Sequence, residues 1–118
     1  MKEEKILEIK KLFLEKRYSE LIELIEGTTE KDFRTAQLLN VLGASKTLKE
    51  SPNKADLISA TENFKEAYLK EKQTKQGLEA LANFINVSLN INQYEESLIY
   101  FKEAENFCSY NEGLFKAI

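Results

Sequence analysis

The segment Phe64-Lys65-Glu66-Ala67 recurs unchanged as Phe101-Lys102-Glu103-Ala104, 37 positions downstream. This recurrence constrains the fold more than any other feature. A repeat of that length is one supersecondary unit, too small to bury its own apolar face, so successive units must stack. Around both copies the apolar residues fall at 3–4 spacing, which makes the repeated element a helix.

Helical spacing extends through nearly the whole chain. Ile6, Ile9 and Phe13 form a first stripe, broken at Lys16-Arg17. Leu21, Leu24 and Ile25 carry a second helix, which Gly27 is expected to end from a left-handed C′ position. Thr29, with Asp32 three residues on, is expected to cap a third helix running from about Asp32 to Leu48. Ser51 as N-cap with Pro52 in the first turn predicts the start of a fourth, marked by Leu57, Ala60, Phe64 and Ala67. A polar stretch over 70–75 separates it from a fifth, with Leu78, Leu81, Phe84 and Ile85. A turn over 90–93 leads into a sixth, with Tyr94, Leu98, Phe101, Ala104 and Cys108. Residues 110–118 begin a seventh, partial helix. Only one proline and four glycines interrupt this pattern, and no alternating strand pattern of useful length appears. The expectation is an all-α chain of antiparallel helical pairs with short connections.

Several function classes are disfavoured. The formal net charge of −3 gives no electrostatic reason to expect a nucleic-acid partner. No apolar run approaches the length of a membrane span, and Met1 to Phe13 lacks the uninterrupted apolar core of a signal peptide. The chain has no histidine, which removes the usual general base and most zinc geometries. Cys108 is the single cysteine and cannot form an internal disulfide, so a reducing, cytoplasmic setting is expected. Cys108 also continues the apolar face of Phe101 and Ala104, where packing is the better account than nucleophilic chemistry. The many paired carboxylates, Glu95-Glu96 among them, read as solvated helix faces. No catalytic residue, metal ligand or cofactor is assigned, and the chain is expected not to be an enzyme.

The repeat resembles the tetratricopeptide repeat (TPR) family. Leu39-x₂-Leu42-Gly43 matches the family's first-helix pattern, and Ala60-x₃-Phe64-x₂-Ala67 its second. The next copy reads Leu81-x₂-Phe84, then Ser97-x₃-Phe101-x₂-Ala104. The turn Asn92-Gln93-Tyr94-Glu95-Glu96-Ser97 looks like the family's, and Lys16-Arg17-Tyr18-Ser19-Glu20-Leu21 resembles the same turn. One degenerate repeat near 2–28, one near 36–72 and one near 78–108 follow, with 110–118 as a capping or truncated helix. The resemblance thus implies one domain over 1–118, an α-solenoid of about three TPR-like antiparallel hairpins plus a C-terminal partial helix. Small residues at Gly43, Ala60, Ala67, Ser97 and Ala104 let helices approach, while Phe64 and Phe101 are expected to insert between consecutive hairpins. Lys46 and Ser88 stand where the family usually has an aromatic, and Ile85 stands where Gly43 stands in the earlier copy.

The resemblance further implies a scaffold that binds a protein or peptide partner along a concave groove lined by the first helix of each hairpin. Its groove positions fall on Gln37, Asn40, Ala44 and Thr47, and on Glu79, Ala82, Asn86 and Leu89. The family's chaperone-tail binders hold a terminal carboxylate with basic residues. The corresponding places here carry Val41, Glu79 and Asn83, so acidic chaperone C-termini are not the expected ligand. A second reading is the regulatory or substrate-presenting helical segment of a larger transferase, of sulfotransferase or glycosyltransferase type. An ending inside a helix, at Phe115-Lys116-Ala117-Ile118, would agree with that. Leu114, Phe115 and Ile118 on so short a helix also lead us to expect weak self-association through the C-terminal helix.

Overall fold

Thr35, Asn53 and Thr74 each place a side-chain oxygen where the next helix begins, and the chain turns into a helix at each. The computed structural model describes residues 3–28, 30 and 34–108, with the side chains of 107 and 108 left aside. Within these lie six helices and no strand: α1 (Glu3–Leu14), α2 (Tyr18–Thr28), α3 (Ala36–Leu48), α4 (Lys54–Lys70), α5 (Lys75–Asn90) and α6 (Glu95–Cys108). Thr35 Oγ1 accepts from the Leu38 amide at 3.1 Å. Asn53 and Asp56 form a reciprocal capping box, and Asp56 also pairs with Lys49 at 3.0 Å, tying the start of α4 to the end of α3. Thr74 Oγ1 accepts from the Gly77 amide and donates to the Glu71 carbonyl, so one hydroxyl closes the α4–α5 turn.

Several boundaries differ from the sequence expectation. Gly27 lies inside α2, and no described glycine has a positive φ, so it is not a left-handed cap. The third helix starts at Ala36 because Thr35 supplies the cap; Thr29 and Asp32 lie outside the described residues. The fourth starts at Lys54 because the Asn53–Asp56 box satisfies two backbone donors at once, whereas Ser51 sits in the left-handed region with φ 51°. The seventh helix expected over 110–118, including Leu114, Phe115 and Ile118, lies outside the described residues.

The α1–α2 and α5–α6 turns are built alike. Lys16 and Asn92, 76 positions apart, both take a left-handed backbone, at φ 59° and 57°. Arg17 N donates to Leu12 O and Gln93 N to Ser88 O, each at 2.9 Å, again with an offset of 76. Lys16 N to Phe13 O and Asn92 N to Leu89 O complete the match. The turn likeness read from sequence is therefore a backbone likeness.

Neighbouring helices in the chain pack on one another, and α3 also touches α5. The core has two lobes. Ile9, Leu12, Leu21, Ile25, Leu38 and Leu42 join α1, α2 and α3. Leu39, Phe64, Tyr68, Leu81, Phe84 and their neighbours join α3, α4, α5 and α6. Helix α3 thus buries residues on two sides, which explains why its sequence lacks a clean polar face. The small residues Ala60, Ala67, Ser97 and Ala104 are all fully buried. The Phe64 ring lies so close to Gly43 that a Cβ there would meet it at 2.8 Å. Phe101 departs from its counterpart: it packs at the margin of the core and is only half-buried. Lys46 is 6% exposed. Its ammonium donates to Ser59 Oγ at 2.7 Å and pairs with Glu26 at 3.2 Å, so α2, α3 and α4 meet at one charge.

Polar links also tie α6 to α4. Tyr68 Oη donates to Glu103 Oε1 at 2.8 Å, Lys72 pairs with the same oxygen at 2.9 Å, and Lys65 pairs with Glu96 at 2.9 Å. The Tyr68 and Tyr100 rings meet beside them, tilted by 60° with centroids 5.6 Å apart. Lys72, and secondarily the Tyr68 hydroxyl, hold the Glu103 carboxyl below its ordinary range. A depressed carboxylate contributes stability above its unfolded value, about 4.3, and loses it as pH falls through the folded value. Acid titration below about pH 4 should therefore loosen α6, read as loss of the tyrosine near-UV signal. Glu103→Gln should show a smaller change over that window; an identical acid limb in the two proteins would remove Glu103 from the account.

Candidate partner-binding face

Helices α3 and α5 run as neighbours, joined where Asn40 Nδ2 donates to the Gln76 carbonyl at 3.0 Å. That bond fixes the orientation of the Asn40 amide and brings the first turn of α5 against the middle of α3. The other amide atom, Oδ1, is buried with no hydrogen-bond partner among the described residues. Asn40 therefore serves the seam between the helices more than the open surface.

The remaining sequence-derived positions divide by exposure. Gln37, Glu79, Asn86 and Leu89 are exposed, Leu89 at 48% despite being apolar. Ala44 and Thr47 are half-buried: Ala44 packs on the core, and Thr47 Oγ1 donates to the Ala44 carbonyl at 2.8 Å. Ala82 is buried and belongs to the packing. The accessible set is thus Gln37 on α3 with Glu79, Asn86 and Leu89 on α5. Asn83 and Asn90 are also exposed and extend the α5 stripe at 79, 83, 86 and 90. Asn83 already stands out in the sequence as a clamp position, and Asn90 could have been found there too, since that spacing follows one face of a helix.

The chemistry of this face is carboxamide hydrogen bonding around one exposed leucine. Glu79 supplies negative charge, opposed by Lys75 at a loose 4.0 Å, a solvated pair of little energetic weight. Carboxamides both donate and accept, so they can pair with the backbone of an extended chain. Two open concavities lie elsewhere. One, of about 570 Å³, is lined by residues of α1 and α2 including Glu8, Leu12, Glu20 and Leu24. The other, of about 180 Å³, lies where the α1–α2 turn meets Lys49 and Glu50. No described helix is long and apolar enough to cross a membrane. No protein-family model, curated protein or solved structure matches this chain.

Proposed function

We propose that this chain is a TPR-like scaffold that binds a protein or peptide partner in extended form along the α3–α5 face. The observation that carries the reading is the 37-residue frame, in which the small residues Ala60 and Ala67 of α4 and Ser97 and Ala104 of α6 are all buried at matching places. A frame of that length, with small residues where helices cross, is what a stacked array requires. The shared backbone of the α1–α2 and α5–α6 turns extends the frame to the first helix pair. Within it α3 and α5 are successive first helices, and their amides supply the contacts. The absence of histidine from the sequence and the single Cys108 agree with a binding role in a reducing, cytoplasmic setting.

The test uses exposed positions that support no packing. Gln37→Ala with Asn86→Ala should reduce capture of a partner from lysate by about tenfold, the loss of one to two hydrogen bonds. Thermal unfolding should stay within a degree or two of the parent, as for surface changes generally. Asn40→Ala should differ, lowering stability by about 1 kcal/mol through the lost bond to Gln76. Undiminished capture by the Gln37/Asn86 double variant would place the binding surface elsewhere.

A further inference from the structure

We propose that two copies of this chain pair weakly through the outer stripe of α1, the two helices running antiparallel about a two-fold axis at Leu7. Ile9 and Leu12 are the buried residues of α1, and they pack with α2 and α3. At about 100° of rotation per residue, the opposite side of the helix carries Glu3, Glu4, Leu7, Lys10, Lys11 and Leu14. All six are exposed, Leu7 at 63% and Leu14 at 81%. Glu3 and Lys10 lie on one margin of this stripe and Glu4 and Lys11 on the other, with Leu7 between them. Each Glu stands seven positions before its Lys, about 10 Å along the axis. That is too far for contact within one helix, where side chains meet at three or four positions. None of the four charges takes part in an ion pair among the described residues.

The stripe is complementary to itself when turned end for end. A two-fold axis at Leu7 sets Leu7 on its own counterpart, Glu3 against Lys10 of the second copy and Glu4 against Lys11. Each pair occurs twice, as a symmetric contact requires. Charge also selects the register and the direction. Setting Leu7 on Leu14 instead would bring the lysines of the two copies together, and a parallel pairing would oppose Glu to Glu and Lys to Lys. Leu7 points away from the core that α1 covers, so the rest of each copy lies on the far side of its own α1. The α3–α5 face takes no part, and the contact does not depend on what that face binds. One short helix on another buries less than the roughly 1,200 Å² of a stable complex, so the dimer is weak and concentration-dependent.

Sedimentation velocity on the full chain up to about 1 mM tests this, a range that reaches weak contacts. A monomer–dimer equilibrium is expected, weakening as salt screens the four ion pairs. The double variants Lys10→Glu with Lys11→Glu, and Glu3→Lys with Glu4→Lys, should each weaken it by about tenfold or more, since like charges then oppose across the axis. Mixing the two should restore association as a heterodimer, because every pair again joins opposite signs. Glutamates early and lysines late also suit the dipole of α1 itself. Both double variants lose that benefit whether or not copies pair, and only pairing predicts recovery on mixing. Leu7→Gln leaves the charges alone and is a good helix former at an exposed place. It should weaken association with the parent melting curve retained. A strict monomer at every concentration would overturn the proposal, as would a dimer insensitive to Leu7→Gln or a mixture that fails to recover.

Discussion

Phe64→Ala should lower the stability of this chain by about 3–5 kcal/mol, read as a shift in the denaturant midpoint, with Tm falling by about 10 °C or more. The ring is 2% exposed and sits in the larger core lobe, shared by α3, α4, α5 and α6. It rests on Gly43, one position that cannot swing in to fill a cavity, because it has no side chain. Ala60 and Ala67, fully buried on the same helix, hold the α4 backbone against its neighbours and limit collapse from that side. A domain this size has roughly 5–15 kcal/mol in total, so the loss approaches the whole margin. Phe101→Ala, in the same tetrapeptide, should cost distinctly less, because that ring is only half-buried. Equal losses at the two positions would mean that the exposed side of α6 is covered in solution.

Alanine at Gly77 should destabilise, although alanine is the better helix former. Gly77 is a helical residue without a positive φ, so the substitution carries no conformational strain. Propensity alone would favour it by nearly 1 kcal/mol. A Cβ at that place, however, would fall 1.8 Å from the Glu71 carbonyl oxygen and 2.6 Å from its carbon. Backbone cannot yield as a side-chain tip can, and the Thr74 hydroxyl holds both the Glu71 carbonyl and the Gly77 amide. Relief therefore requires opening the α4–α5 turn, at about 3 kcal/mol or somewhat more. Gly27→Ala is the matched control. It is helical, exposed and has nothing within 4 Å of the added methyl, so it should stabilise by about 0.5–1 kcal/mol. Chemical denaturation of the pair reads the contrast directly, and a stabilising Gly77→Ala would show that the turn is looser than its geometry.

The candidate face illustrates how far a one-dimensional reading reaches. The resemblance to the repeat family implies that Gln37, Asn86 and Leu89 lie on open sides of α3 and α5, and all three are exposed. The resemblance also implies Asn40 and Ala82 there, yet Asn40 is drawn into the seam by the carbonyl of Gln76, 36 positions away, and Ala82 is buried. Residues at the edge of a helical stripe go inward or outward according to which neighbouring helix approaches, and periodicity contains no term for that.

The sequence by itself determined the helical class, the 37-residue frame, the small residues at the crossings and the likeness of the two turns. These depend on i to i+4 spacing and on residue size, both of which are local. Tertiary structure decided the rest. Thr35 and Asn53 cap where other polar residues were equally eligible, because Asp56 and Lys49 complete the second cap from either side of it. Lys46 is buried with its charge paired, because Glu26 and Ser59 arrive from 20 and 13 positions away on two other helices. Phe64 and Phe101 stand in identical tetrapeptides and differ in burial, because α4 packs between α3 and α5, whereas among the described helices α6 packs mainly on α5. Burial is a property of what packs against a residue, and those partners come from distant parts of the chain.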